Sequence, residues 1–369
     1  MAQVQQQVSE FLTSRIAAGD FPSAVYLVGE GGRIVFTDAL GDAVAQVKRI
    51  KATVDTVYDL ASLTKPFITT FLCAKRIETG ELSLDDPISL HLSEFDRPDK
   101  RAITLKQLLT HSSGLPAWRP LYVLAARDRG ATLQVIANEP LDYTSGTRVL
   151  YSDLGFITLG LMLERKAGKT LAELAQQEIF APLQLEHTWF NPLAAHQSGI
   201  AASELGNAFE RETCHGMGLE YNAWRERLVW GEVHDGNAFF LGGEAGHAGL
   251  FSTAAETFLI ANQFIAARTM LLEPATCELF KTNFTAGLEE DRSVGWKLAS
   301  SQESSAGPDL APASFGHAGF TGTSCWIDGE RERVFILLTN RTHARALPFA
   351  NINEVRRHFH SLAVAALDQ

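Results

Sequence analysis

The sequence predicts an α+β fold: an antiparallel sheet formed by N- and C-terminal segments, flanked by helices, with a mostly helical subdomain inserted between them. Three observations predict it. Strand–turn–strand signals stand near both ends, at residues 24–36 and 323–339. Between them, apolar residues recur at three- and four-residue steps. The length of 369 residues exceeds one typical domain and suffices for a sizeable core. The expected organisation is one unit over 1–369, with an α/β subdomain of residues 1–60 plus 290–369 and a helical subdomain of residues 61–289.

Taken in order, residues 1–20 read as an amphipathic helix with Val4, Val8, Phe11, Leu12 and Ile16 along one stripe. Ala24–Val28 and Ile34–Phe36 are joined across Glu30-Gly31-Gly32 as a hairpin. A β-branched run, Thr53–Tyr58, reads as a strand leading into Ser62. A helix follows, carried by Phe67, Ile68, Phe71, Leu72, Ala74 and Ile77 and stopped at Gly80. Ile103–Leu109 starts another helix, which ends in the turn cluster His111–Pro116. Helical patterning runs to about residue 285, broken by a glycine-rich irregular segment, Asn191 to Gly249. Thr323–Ile327 and Val334–Thr339 flank Asp328-Gly329-Glu330-Arg331 as a second hairpin. The final helix carries Ile352, Val355, Phe359, Leu362, Ala363 and Ala366, and Ser300–Pro312 is the expected flexible loop.

A net charge of -11 argues against nucleic acid and against anionic membrane surfaces as partners, because both select basic patches. Four well-separated cysteines, Cys73, Cys214, Cys277 and Cys325, read as reduced and unpaired. No basic stretch followed by an apolar core opens the chain. The expected location is therefore the cytoplasm, or the periplasm or exterior if a leader has been trimmed. Leu250–Leu272 is the most apolar stretch, but polar and charged residues interrupt it.

The chemistry starts at Ser62. On a helix, Ser62 and Lys65 sit one turn apart on one face, so hydroxyl and amine can meet. Pro66 is tolerated only near a helix start, which puts Ser62 at the N-terminal lip, where free N–H groups favour a developing oxyanion. A hydroxyl becomes a useful nucleophile once a neighbouring base takes its proton. Tyr151-Ser152-Asp153 stands on a loop before a helix, and a phenol there can share a proton with a lysine and act as general base. Gly316-His317-Ala318-Gly319-Phe320-Thr321-Gly322 lets backbone approach a ligand closely. Each motif alone also has a bland reading: a surface turn, a boundary tyrosine, a glycine-rich hairpin entry.

Together, in this order, the three motifs resemble the serine β-lactamase-related superfamily, above all class C β-lactamases, D-alanyl-D-alanine carboxypeptidases and related esterases. The likeness runs from about residue 20 to 345 and extends to Thr56–Ser62, Leu108–Pro116 and Gly249–Ala254. It implies a penicillin-recognising fold with Ser62 as acylated nucleophile, Lys65 tuning its proton and Tyr151 as base. It also implies an oxyanion hole from the N–H groups of Ser62 and Phe320, and no metal or organic cofactor. Two positions depart from the usual pattern: His317 replaces a lysine that meets a substrate carboxylate, and Asp153 replaces an asparagine. Neutral histidine holds an anion less firmly, and aspartate repels one. Asp153 is alternatively a counter-ion for Lys65.

The expectation is a serine hydrolase acting on a small ester, amide or short peptide, esterase-like by preference. Its rivals are a D-amino-acid peptidase or carboxypeptidase, a weak β-lactamase, and a non-catalytic scaffold. Asp153, His317, Gly319 and Phe320 are the candidate substrate contacts, with His234 or Asp235 pointing in from the irregular segment. Trp224, Trp230, Phe239 and Phe240 are candidates for an apolar wall. His111 reads as a turn-forming hydrogen bonder and Arg341 as a surface residue. The His and Asp residues of 231–249 lack metal-site spacing.

Overall fold

A computed structural model describes residues 2–369, with side-chain surroundings from residue 5 onward. The N-terminal stripe forms α1 (Ala2–Ala18), which buries Val8 and Leu12 with Phe11 and Ile16 beside them. Val4 lies outside the residues whose side chains are described. The first hairpin is β1 (Ser23–Glu30) and β2 (Arg33–Val44), longer than the apolar pattern alone suggested. Its two-residue turn holds Gly31 and Gly32 at φ 59° and 73°, a left-handed pair that matches the strand twist and that glycine adopts without strain. A short β3 (Ile50–Lys51) follows, and then β4 (Tyr58–Asp59). The strand expected over Thr53–Tyr58 is therefore reduced to its last residue plus Asp59. Upstream of it, a turn bonds the N–H of Thr56 to the carbonyl of Thr53.

The inserted region contains α2 (Phe71–Glu78), α3 (Leu105–Leu109), α4 (Leu121–Leu124), α5 (Thr132–Asn138), α6 (Asp153–Ala167) and α7 (Leu171–Ala175). Thr104 caps α3 in a reciprocal capping box with Gln107. The segment read as irregular, Asn191–Gly249, contains a 3-10 helix, Ala194–Gly199, and two short α-helices: α8 (Ala208–Gly216) and α9 (Gly236–Phe240). The short strands β5 (Trp189–Phe190) and β6 (Leu250–Ser252) join β4 in a three-stranded sheet of order β4-β6-β5. After α10 (Ala254–Asn262) come β7 (Lys297–Leu298), β8 (Phe315–Ala318), β9 (Ser324–Asp328), β10 (Arg333–Thr339) and α11 (Asn353–Leu367).

The main sheet runs β3-β2-β1-β10-β9-β8-β7, and every pairing is antiparallel. The two ends of the chain meet at its centre, where Ala24 pairs with Thr339 and Glu30 with Arg333. Side-chain alternation explains the layers. Val25, Leu27, Val334, Ile336, Leu338, Cys325 and Ile327 face the helical region, while Tyr26, Val28, Phe335, Leu337 and Trp326 face α1 and α11. Both faces are covered, so the central strands read as unbroken apolar runs. Ser300–Pro312, expected to be flexible, is instead fastened to α11: Arg357 donates to the Ser304 carbonyl and Ala306 is fully buried. All four cysteines are buried and unpaired. No helix among the described residues is long and apolar enough to cross a membrane.

Candidate active site

Ser62 sits where β4 gives way to helix, and the turn is sharper than a helix start. Ala61 is left-handed at φ 48°, a costly backbone state for a residue with a side chain. It is held there by Asp59, whose buried carboxylate accepts from the N–H groups of Ala61 (2.9 Å) and His234 (2.8 Å). The single helix expected from Ser62 onward is in fact three pieces: a 3-10 turn Ala61–Leu63, a π-helical turn Lys65–Thr70, then α2. Pro66 supplies no N–H to an ordinary helical ladder, and wide turns of this kind recur at functional sites.

The serine and lysine nevertheless meet as their spacing requires. Lys65 Nζ donates to Ser62 Oγ at 2.9 Å and to the carbonyl of His247 at 3.2 Å. It also pairs with Asp153 Oδ1 at 2.7 Å, although its own side chain is 0% exposed. Burial pulls its pKa down, but the charges of Asp153 and Tyr151 outweigh that and leave it above the ordinary lysine value. The ammonium is therefore kept charged.

Tyr151 stands just before α6, whose N-terminus is capped by Ser152 Oγ. Its ring lies 4.8 Å from Lys65 Nζ and packs tilted against His111, with ring centroids 4.5 Å apart. The phenol oxygen is buried without a well-aligned hydrogen bond, yet it is near enough for Lys65 and Ser62 to act on its acidity. Burial raises its pKa, Lys65 opposes the rise and Asp153 adds to it. His111 accepts from the N–H of Ser152 at Nδ1 (3.0 Å) and is held neutral by burial and by the charges of Arg292 and Lys65. It thus shapes the turn under Tyr151.

The third motif leaves β8 and is stitched to the Ser62 turn. Thr321 Oγ1 donates to the Asp59 carbonyl and Thr323 Oγ1 to that of Leu60, at 2.8 and 2.9 Å. Arg356 of α11 donates to the carbonyls of Gly319 and Thr323. A Cβ on Gly319 would lie 2.1 Å from Thr323 Oγ1 and 2.6 Å from the Leu60 carbonyl, so only glycine fits this approach. The N–H groups of Ser62 and Phe320 donate to no acceptor among the described residues, and both positions line the same cavity.

That cavity measures about 600 Å³. Asp153, Gly319, Phe320, His234 and Asp235 all line it beside Ser62 and Tyr151. His317 does not: it is buried behind Tyr151, with ring centroids 5.7 Å apart, and its Nδ1–H donates to the Ala318 carbonyl at 3.0 Å. Burial and the charges of Lys65 and Arg292 hold its pKa well below the usual histidine value. The apolar wall expected from Trp224, Trp230, Phe239 and Phe240 is made instead by Trp118, Phe209, Met217 and Phe320. Phe209 and Met217 belong to α8 and its C-cap, a helix that the sequence reading missed. Arg341 spends its guanidinium on the carbonyls of Phe320 and Ala350 and does not line the cavity.

Asp153, Asp235 and His247 bring ligand atoms within 4.8 Å of one another. Each is already partnered: Asp153 pairs with the Lys65 ammonium, and His247 Nε2 lies 2.8 Å from Asp235. Burial works against the charge on Asp235, but His247 overcomes it and holds the carboxyl well below the usual range.

A family model described as Beta-lactamase matches residues 5–356. The chain belongs to the Beta-lactamase family. A protein of Escherichia coli O157:H7, named provisionally as a D-alanyl-D-alanine carboxypeptidase, is 32% identical over 368 residues, covering 92% of this chain and 82% of the relative. An N-acetylmuramyl-L-alanine amidase of Bacillus subtilis is also 32% identical, over 92% of this chain and 81% of its own length. Among solved structures, EstCE1, a hydrolase with promiscuous acyltransferase activity, aligns at TM-score 0.75 and 20% identity over 98% of this chain and 99% of its own. A class C beta lactamase aligns at TM-score 0.75 and 14% identity over 99% and 98%. These last two likenesses bear on the fold, which is that of the β-lactamase and penicillin-binding group. The family is one of serine hydrolases.

Proposed function

We propose that this Beta-lactamase family member cleaves an ester or amide through an acyl-enzyme on Ser62, and that its substrate carries no carboxylate beside the scissile bond. Tyr151, as the phenolate that the Lys65 ammonium favours, takes the proton of Ser62 Oγ as that oxygen attacks the carbonyl carbon and becomes the neutral phenol. The N–H groups of Ser62 and Phe320 receive the oxyanion. Collapse expels the alcohol or amine, which takes the proton back from Tyr151. A water then loses a proton to Tyr151 and attacks the acyl carbon; as the ester bond to Ser62 breaks, Tyr151 returns that proton to Ser62 Oγ and the free acid leaves.

The charge on the cavity wall carries the substrate preference. Its carboxyls are Asp142, Asp153, Glu210 and Asp235, whereas its basic side chains are Arg119 and His234. Arg119 is already paired with Glu139 at 2.7 Å and His234 with Glu204 at 2.9 Å. Lys65 is paired with Asp153, and His317 is neutral and screened by Tyr151. No cationic side chain on the wall is left unpaired to receive a substrate carboxylate. That favours an ester or neutral amide over a β-lactam or a C-terminal D-alanine. The carboxypeptidase name of the Escherichia coli relative favours the second reading, a D-amino-acid peptidase. Turnover of p-nitrophenyl acetate, nitrocefin and a D-Ala-D-Ala peptide, each against a Ser62→Ala control, separates the two. A kcat/KM for nitrocefin or the dipeptide far above that for the ester overturns the preference.

A further inference from the structure

On the other side of α8 lies a second cavity, of about 620 Å³. Helical geometry explains the two-sidedness. Phe209, Thr213 and Met217, at four-residue steps, face the Ser62 cavity, while Arg211 and His215 point to the outer one. Between them runs a buried seam in which Tyr122, from the outer cavity's wall, donates to Glu210 at 2.8 Å. Glu210 in turn lines the Ser62 cavity.

The outer wall has an unusual composition for an acidic protein. Tyr122, Tyr221 and Trp224 form an aromatic cluster, with Tyr221 4.9 Å from each of the other two rings. Arg127 rides over Tyr221 at 5.4 Å and Arg211 over Trp224 at 5.8 Å. Neither arginine reaches a carboxylate within ion-pair distance among the described residues. Arg225 and Arg227, from the same segment as Trp224, both pair with Glu232. Glu220 is the single carboxylate on the lining. Arg127 is also held deliberately: it and Ala126 are consecutive left-handed residues at φ 65° and 49°, and its guanidinium donates to Asn222 Oδ1 at 2.6 Å. Consecutive strained residues of this kind collect at ligand clamps.

We propose that this cavity is a second binding site, for a sugar acid or a similar anionic ring compound. The carboxylate or phosphate bonds to Arg127 and Arg211, and the ring lies against Tyr221 and Trp224. Guanidinium forks seated on aromatic rings are preorganised for such a group. The ligand is either the far end of the hydrolysed substrate or a separate molecule.

Calorimetric titration of the full chain with glucuronate, glucose and inorganic phosphate tests this. Glucuronate is expected to bind at least tenfold more tightly than glucose, and R127A/R211A is expected to lose at least tenfold of that affinity. Both arginines are exposed, so the variant should melt like the parent; R127K/R211K, which keeps the charge but not the fork, should fall between the two. Absence of glucuronate binding to the parent, or binding unchanged in a folded R127A/R211A, overturns the proposal. If the ligand is the far end of the substrate, the double variant raises KM for an ester bearing a distal glucuronate and leaves p-nitrophenyl acetate alone. If it is a separate molecule, glucuronate alters p-nitrophenyl acetate turnover in the parent and not in R127A/R211A.

Discussion

Replacing Asp153 with asparagine removes the negative charge that touches the buried Lys65 ammonium, at 2.7 Å. At an effective dielectric constant of about 20, two unit charges at that separation attract by about 6 kcal/mol. If relaxation and entering water leave half of it, about 3 kcal/mol, the change equals about 2 pH units in the protonation of the group concerned. The sign is the same for both candidate proton carriers, because Asp153 raises the pKa of Lys65 and of Tyr151 alike. Without it, whichever of the two must lose a proton before Ser62 is activated does so at lower pH. The acid limb of kcat/KM for p-nitrophenyl acetate, followed from about pH 5 to about pH 10, should therefore move down by about 2 units in Asp153→Asn. Stability follows the linked rule. Lys65 has a raised folded pKa, so its contribution is complete below the unfolded value and is lost as pH rises through the folded one. The variant's loss of thermal stability should thus be largest near neutrality and shrink in alkali. An acid limb that stays put or moves upward, in a variant whose turnover still depends on Ser62, would refute the assignment of Asp153 as counter-ion.

Ser62→Ala should abolish labelling by a fluorophosphonate probe and lower ester turnover by about 10³-fold or more, with little change in melting temperature. Tyr151→Phe should lower kcat by about 10²- to 10⁴-fold. Because the phenol oxygen is buried without a well-aligned partner, the same change should leave the melting temperature equal or slightly higher. Gly319→Ala places a methyl against Thr323 Oγ1 and the Leu60 carbonyl. It should displace the Phe320 N–H, cost about 10²-fold in kcat and destabilise the fold by about 1–3 kcal/mol, measurable by denaturant unfolding.

Parts of the site were legible because they depend on local spacing. Ser62 and Lys65 lie three residues apart on one helical turn, and no long-range contact is needed to bring hydroxyl and amine together. The hairpins at residues 24–36 and 323–339 announced themselves by turn residues between apolar runs, and the final amphipathic helix by its stripe. Other parts were not legible. Nothing local says that Ala61 is left-handed, because the Asp59 carboxylate that holds it there is itself fixed by His234, 175 residues away. The helix α8 has few periodic apolar positions, since much of its surface lines two cavities and not a core. Ser300–Pro312 has a loop's composition, yet it is fastened by partners on α11.

By itself the sequence determined the fold class, the hairpins near the two ends and the three motifs, because hydrophobic period, turn chemistry and helical spacing act over a few residues. Only the tertiary structure decided that His317 turns behind Tyr151 and that Asp153 neutralises Lys65. It alone decided, too, that the basic side chains of the cleft, Arg119 and His234, are already partnered by Glu139 and Glu204. Charge and burial at one point are set by side chains arriving from every part of the chain, and no window of sequence contains them all.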